Sequence, residues 1–137
     1  MSFVRCERPP TTLATCATMP VAASSVDPDF VSSPVTIDFS RSNQRICITA
    51  SAPVTLGGPG FNPNATVKLS LYRNGDDALL DVSTCLVNSS SGFSAVTPAL
   101  VHQVAPGVYY AELEITGQWY SVVGRINISA SVAALAV

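Results

Sequence analysis

Short stretches in which apolar and polar residues alternate follow one another from about residue 34 onward. A period of two places successive side chains on opposite faces of a strand, so each stretch predicts a half-buried β-strand. Segments rich in Gly, Pro, Asn and Ser separate the stretches, as expected of turns. The pattern predicts seven strands, at residues 34–39, 44–50, 66–73, 78–87, 93–102, 107–116 and 119–132.

Seven short strands without an amphipathic helix predict an all-β fold, an immunoglobulin-like antiparallel β-sandwich of about seven strands with an extended N-terminal arm. The alternation places a set of apolar side chains in the core. The set is Val35, Ile37, Phe39, Ile46, Ile48, Val67, Leu69 and Leu71. The same parity turns Cys47 and Cys85 outward, which argues against a core disulfide.

The last two predicted strands form a hairpin if Gly117 and Gln118 make a two-residue turn. In that register one face is apolar, as a half-buried hairpin requires. Its residues are Tyr109, Leu113, Ile115, Tyr120, Val122 and Ile126. We expect all six side chains to be buried.

The first 33 residues differ from the rest because four prolines interrupt them and no period is sustained. Proline fixes φ and removes a hydrogen-bond donor, so residues 1–33 are predicted to be an extended arm on a sandwich formed by residues 34–137. Apolar residues in the arm and at the uncharged C-terminal end suggest contacts with other chains. These predicted assembly contacts are Phe3, Leu13, Phe30, Val31, Leu135 and Val137.

Composition narrows the function classes. The chain has 137 residues, 47% hydrophobic and 12% charged, with a net charge of −2, which fits one folded domain. Scattered basic residues argue against nucleic-acid binding, and no apolar run approaches the roughly 18 residues of a membrane-spanning helix. The first ten residues lack the apolar stretch of a signal peptide, so we expect free thiols, with a Cys6–Cys16 disulfide as the alternative.

Catalytic and cofactor-binding patterns are weak. His102 is the single histidine and no nucleophile motif accompanies it, so we predict no enzymatic activity. Glu112 and Glu114 share one strand face and are interpreted as a solvated surface. Asp76 and Asp77 follow Asn-Gly in a turn, which explains them without calcium. We predict no metal and no cofactor.

Three aromatic residues, Tyr72, Tyr110 and Trp119, are predicted to face outward. In that position they would suit cross-strand pairing, a protein contact or sugar stacking. The sequence pattern leaves these alternatives open.

Three strand-and-turn segments carry a resemblance to a known family. They are residues 64–75 (NATVKLSLYRNG), 106–113 (PGVYYAEL) and 116–124 (TGQWYSVVG). Together they resemble the immunoglobulin-like β-sandwich modules of tailed-bacteriophage virion proteins, over about half of the chain. The resemblance implies a structural protein that decorates or cements a capsid, or that belongs to the neck or tail.

We therefore expect a virion protein, made in the host cytoplasm, that stabilises a shell through contacts bridging its subunits. Its expected partners are the major capsid protein or other virion subunits, with homo-oligomers on the particle and no nucleic acid or membrane. The alternative from another class is a cell-surface or adhesin-type module that recognises carbohydrate or protein.

Overall fold

A computed structural model describes residues 3–5, 16–24, 29–39, 45–88, 92–132 and 134–136. These residues form β-strands and no helix, and therefore no helix that could cross a membrane. The strands are β1 (Phe3–Arg5), β2 (Cys16–Ser24), β3 (Phe30–Val31), β4 (Val35–Asp38), β5 (Ile46–Ser51), β6 (Val54–Gly57), β7 (Asn64–Arg73), β8 (Ala78–Asn88), β9 (Phe93–Val96), β10 (Ala99–Val104), β11 (Val108–Gln118), β12 (Ser121–Val132) and β13 (Ala134–Ala136).

Two main sheets form a sandwich. In the first sheet, β12 pairs with β2 along one edge and with β5 and β6 along the other, and β10 and β9 extend β5 and β6. In the second sheet, β11 pairs with β3 and β4 on one side and with β7 on the other, and β8 forms the far edge. The predicted antiparallel β-sandwich is confirmed.

The strand pairing is nested around the turn at residues 74–77. Outward from this turn, β7 pairs with β8, β6 with β9, β5 with β10, β3 and β4 with β11, β2 with β12, and β1 with β13. All these pairs are antiparallel, so the described chain forms one long hairpin rolled into two facing sheets. This is the connectivity of a jelly roll.

The hairpin predicted at Gly117 and Gln118 is wrong, because β11 and β12 lie in different sheets. Two strands that face each other across a core show the same apolar alternation as two strands paired edge to edge. Alternation therefore identified the buried faces and not the partners. Immunoglobulin domains, by contrast, keep their last two strands within one sheet.

The core residues predicted by alternation are buried, all eight of them. Five of the six residues predicted to be buried in the hairpin are also in the core, namely Tyr109, Leu113, Ile115, Val122 and Ile126. Tyr120 is the exception at 49% exposed, and Trp119 beside it is 1% exposed. The parity changes where the chain crosses between sheets, which also corrects the prediction that Trp119 faces outward.

Two cysteines depart from their predictions in different ways. Cys47 is 2% exposed and disulfide-bonded, so the prediction that it is an outward-facing free thiol is wrong. Alternation predicts the face that a side chain takes, but not whether another segment covers that face. Cys85 is a free thiol, as predicted. It lies opposite the fully buried Val67, so its side chain takes the inner face of the sheet rather than the outer one.

Strands also occur within the first 33 residues. β2 pairs with nine residues of β12, and β3 pairs with β11, although the prolines led us to expect extended, unpaired chain. Proline is tolerated at a sheet edge, and β2 is an edge strand that contains Pro20. The division into an arm at residues 1–33 and a domain at residues 34–137 stays a prediction.

Two further differences concern turns. β6 lies in the Gly/Pro/Asn-rich stretch that we interpreted as a loop. The strand predicted at 93–102 is divided into β9 and β10 around Pro98, whose carbonyl accepts a hydrogen bond from the Ala52 N–H at 2.9 Å.

Candidate interaction surface

His102 Nδ1 lies 3.6 Å from Asp81 Oδ2, and both side chains are about one third exposed. In the part of the chain that the structure describes, the hydroxyl of Ser83 accepts a hydrogen bond from the Ala99 N–H at 3.3 Å. Within the same part of the chain, no three His, Cys, Asp or Glu side chains are placed to hold a metal ion.

The outer face of β7 and β11 carries charged and aromatic side chains, and we call it the charged face. Lys68 Nζ lies 2.9 Å from Glu114 Oε1, and hydrogen bonding to this carboxylate raises the pKa of Lys68. Glu112 lies on the same face and lines a shallow depression of about 90 Å³ with Lys68 and Glu114. The two glutamates therefore belong to a solvated, partly ion-paired surface, as interpreted from the sequence.

Two tyrosines of the charged face stack on each other. The rings of Tyr72 and Tyr110, which are cross-strand partners, lie 5.0 Å apart with an interplanar angle of 17°. The Tyr110 hydroxyl donates to Asp77 Oδ1 at 2.9 Å. Desolvation and this hydrogen bond raise the pKa of Tyr110 to about 12. Both residues face outward, as predicted, and the stack fits cross-strand pairing.

The turn between β7 and β8 is also accounted for by local contacts. Arg73 donates to both carboxylate oxygens of Asp76, at 3.0 and 2.6 Å, and holds the pKa of Asp76 at about 2. Gly75 and Asp77 have positive φ angles of 100° and 55°, which Gly and Asp tolerate better than most residues. The aspartates therefore have structural roles in the turn.

Exposed apolar side chains concentrate at one long edge of the sandwich, where β8 lies beside β9 and β10. Of the eight large hydrophobic side chains that are exposed in the described residues, five lie on these three strands. We call them the apolar rim: Leu79, Val82 and Leu86 of β8, Phe93 of β9 and Val101 of β10. Leu86 is 80% exposed. The three side chains of β8 lie on the outer side of the second sheet, and Val101 lies on the outer side of the first, so the rim spans both sides of this edge. Exposed apolar surface of this extent is typical of a surface that contacts another molecule.

Four of the five residues of the apolar rim, all except Leu79, lie in one stretch of sequence that contains few ionisable residues. From Val82 to Ala111 the sequence contains no Asp, Glu, Lys or Arg and one histidine, His102. Exposed edge strands are usually protected by charged residues, especially lysine. The protection of β8 is local: Asp81 Oδ1 accepts the Val82 N–H at 2.8 Å, beside a register shift between Leu71 and Tyr72 on the partner strand. The segment from Thr84 to Asn88 has no charged neighbour in β8.

The residues predicted as assembly contacts lie elsewhere. Phe3 and Leu135 belong to the paired strands β1 and β13. Phe30 packs edge-on against Trp119, with ring centroids 6.2 Å apart, and Val31 lies exposed opposite Glu114. Leu13 and Val137 lie outside the described residues. Their contacts with other chains stay a prediction.

The apolar rim was missed because each strand there alternates normally and gives no local signal. The information lay in the 30-residue stretch without Asp, Glu, Lys or Arg, which the alternation pattern does not register. Only the fold shows that this stretch forms one edge of the sandwich, together with the start of β11.

Known proteins resemble the chain only in their fold. No protein-family model matches it, and no curated protein is similar in sequence. Structural neighbours include viral capsid chains. A chain of the T13 particle of infectious bursal disease virus matches 87% of this chain and 31% of its own length, with 9% identity and a TM-score of 0.47. A chain of the Gt strain matches 96% and 33%, with 12% identity and a TM-score of 0.46.

A bacterial domain is similar to the same degree. The pre-peptidase C-terminal domain of a collagenase from Bacillus anthracis matches 88% of this chain and 93% of its own, with 13% identity and a TM-score of 0.42. The present chain spans about a third of the viral chains. The function is therefore argued from its own residues.

Proposed function

We propose that the chain is a non-enzymatic structural protein of a virus particle and that its apolar rim contacts neighbouring subunits. The observation that carries this proposal is the concentration of exposed, uncharged apolar side chains on β8, β9 and β10. The finer role that we favour is decoration or cementing of a tailed-phage capsid. In that role the contact area, rather than a catalytic group, produces the effect.

The rim offers enough apolar surface to matter energetically. Burying an exposed Leu or Val side chain contributes about 1.5–3 kcal/mol, so several rim side chains together would offset part of the cost of association. Leu79, Val82 and Leu86 follow one another along a single strand, which suits a partner that lies along β8.

The absence of charge indicates the chemistry of the partner. A partner with many charged residues at the contact would lose their hydration with few new ion pairs in return, because Val82 to Ala111 contain no Asp, Glu, Lys or Arg and Asp81 already lies beside His102. The rim therefore fits a surface that is itself uncharged and apolar. A second copy of this chain offers such a surface, and we propose that copies meet rim to rim on the particle.

The test introduces a charge into the rim and compares it with a charge elsewhere. Leu86→Glu places a carboxylate in the rim, and Val123→Glu places one at a 65% exposed position on β12, away from the rim. Both variants are expected to have the same denaturant midpoint of unfolding as the original protein. Leu86→Glu is expected to lose self-association in sedimentation velocity and incorporation into particles, whereas Val123→Glu keeps both.

Copy number in purified particles separates the finer roles. Hundreds of copies support decoration of the shell, and a dozen or fewer support the neck or tail. If Leu86→Glu incorporates as well as Val123→Glu does, the rim is not the contact. If the protein is absent from intact particles, the virion role itself is wrong.

A further inference from the structure

β8 forms the far edge of the second sheet, because among the described strands only β7 pairs with it. A strand in this position leaves every second pair of N–H and carbonyl groups without a partner in its own sheet. Such an edge binds a further strand through main-chain hydrogen bonds when neither charge nor a covering segment prevents it. The hydrogen bonds of the structure show which residues of β8 direct these groups outward.

The pairing of the second sheet gives this direction. The Leu113 N–H donates to Ser32 Oγ at 3.0 Å, and the Leu113 carbonyl accepts the Ser32 N–H at 2.9 Å. Leu113 therefore directs its main-chain groups away from Leu69, its partner on β7. Leu69 then directs its own groups to the other side, toward Ser83 of β8. Ser83 is therefore hydrogen-bonded within the sheet, and its two neighbours point outward.

The N–H of Val82 supports the same direction independently. It donates to Asp81 Oδ1 of its own strand at 2.8 Å, although Ser70 is its partner on β7. Because successive residues of a strand point to alternate edges, Thr84 and Leu86 also direct their N–H and carbonyl groups outward. Both residues are exposed. The open part of the edge therefore runs through Val82, Thr84 and Leu86.

The charge pattern of β8 suits a second copy of the same strand. In an antiparallel pair centred on Thr84, Val82 of each copy lies opposite Leu86 of the other, and the two Thr84 residues face each other. Apolar side chains then meet apolar side chains on the outer face. Asp81, the one acidic or basic residue of β8, lies opposite Val87 of the other copy. The two Asp81 residues stay roughly 20 Å apart, so no like charges oppose each other.

We propose that two copies of the chain join through their β8 strands, antiparallel and centred on Thr84, so that their second sheets form one continuous sheet. The neighbouring register, centred on Cys85, places polar side chains opposite both Val82 and Leu86 and is therefore less favourable. The pair is two-fold symmetric, as a contact between identical surfaces requires. This inference rests on the rim-to-rim contact of the proposed function and specifies how that contact is made.

Removal of one outward N–H tests the strand pairing in the full chain. Thr84→Pro deletes the N–H at the centre of the pair, and the variant is expected to fold because this group is not part of the ladder with β7. Thr84→Val keeps the N–H and is the matched control. In sedimentation velocity, we expect Thr84→Pro to be monomeric at concentrations at which the original protein and Thr84→Val are dimeric.

Disulfide crosslinking tests the register without a proline. Thr84→Cys, in a Cys85→Ser background, places two thiols opposite each other with Cα atoms about 5.5 Å apart, within the range of a disulfide. Leu79→Cys in the same background is the control, because the exposed Leu79 residues of the two copies lie roughly 30 Å apart in this pair. On oxidation we expect a covalent dimer for Thr84→Cys and none for Leu79→Cys.

The outcomes distinguish this inference from the proposed function. A folded Thr84→Pro that remains dimeric, or equal crosslinking of the two cysteine variants, shows that the strands do not pair in this way. In either case, loss of self-association in Leu86→Glu still supports the rim contact. A monomeric original protein contradicts the rim-to-rim contact, and the strand pairing with it. Crosslinking decides the question even if Thr84→Pro fails to fold.

Discussion

At one long edge of the sandwich, β2 of the first sheet lies beside β4 of the second, whereas at the other edge β8 lies beside β9 and β10. The first edge is closed by its own chain. The Ser32 N–H donates to the Leu113 carbonyl at 2.9 Å, the Leu113 N–H donates to Ser32 Oγ at 3.0 Å, and Phe30 packs on Trp119. We call it the N-terminal edge.

The apolar rim at the other edge makes different contacts, which are local hydrogen bonds. Side chains of Asp81 and Ser83 accept the nearby N–H groups of Val82 and Ala99, and Leu86 points away from the core. The two edges therefore differ in how much of their apolar surface the chain itself covers. We expect the N-terminal edge to contribute stability, and we propose that the rim offers apolar surface to another molecule. Four experiments test this difference.

The largest expected effect comes from removing residues 1–30. This deletion removes β2, which pairs with β12, and Phe30, which packs on Trp119. The N-terminal edge therefore loses both contacts. We expect loss of cooperative unfolding in denaturant, followed by far-ultraviolet circular dichroism. An unchanged cooperative transition would instead support the division into an arm and a domain that the sequence pattern predicts.

Reduction of the Cys47 disulfide is expected to have the next largest effect. A disulfide that closes a loop of a few tens of residues contributes about 4 kcal/mol by restricting the unfolded chain. We expect Cys47→Ser to lower the free energy of unfolding by a similar amount under non-reducing conditions. Cys85→Ser is the control, since Cys85 is a free thiol, and it is expected to change stability little. Equal effects of the two substitutions would contradict this expectation.

Truncating one aromatic or aliphatic residue at each edge compares them directly. Phe30 is partly buried against the core, so Phe30→Ala is expected to cost about 2 kcal/mol, less than the roughly 3–5 kcal/mol of a fully buried Phe. Leu86 is exposed, so Leu86→Ala is expected to cost less than about 0.5 kcal/mol. Denaturant midpoints measure both. A larger loss for Leu86→Ala would show that the rim stabilises the fold itself.

The smallest expected effect concerns the turn where β8 begins. Arg73 holds the pKa of Asp76 at about 2, below its ordinary 3.8. Because the folded pKa is the lower one, the stabilising contribution is present above about pH 4 and disappears as the pH falls toward 2. It is small, since both side chains are exposed. Carboxyl NMR titration is expected to show Asp76 moving toward its ordinary pKa in Arg73→Gln, and no movement would contradict the assigned ion pair.

The sequence pattern predicted which face of each strand is buried. It did not predict which strands pair with each other. The alternation identified Ile46, Ile48 and Leu69 as core because burial on one face imposes a period of two on any strand. It did not separate a hairpin from a crossing between sheets at Gly117, since both bury the same side chains of β11 and β12 and differ only at Trp119 and Tyr120. A positive φ of 100° at Gly117, where an added Cβ would lie 2.5 Å from the Asn64 carbonyl oxygen, fits either arrangement.

The interaction surface was harder to predict for a related reason. Leu86 and Val101 lie on strands with ordinary alternation, and their meeting at one edge depends on the pairing of β5 with β10 and of β7 with β8. The prolines and apolar residues of the first 33 residues led us to predict contacts with other chains in the N-terminal segment instead. The composition shows that charged residues are few, but only the topology shows that exposed apolar side chains lie on the neighbouring strands β8, β9 and β10.

The nested pairing has a consequence for biosynthesis. β2 emerges from the ribosome long before its partner β12, so residues 16–24 have no native neighbour in the sheet until residues 121–129 follow. Contacts between residues far apart in sequence slow folding, because each closes a large loop before it gains stabilising contacts. Among the described strands, only the central β7–β8 hairpin can form from local contacts during translation. The chain is therefore expected to fold largely after synthesis, from its middle outward to its ends.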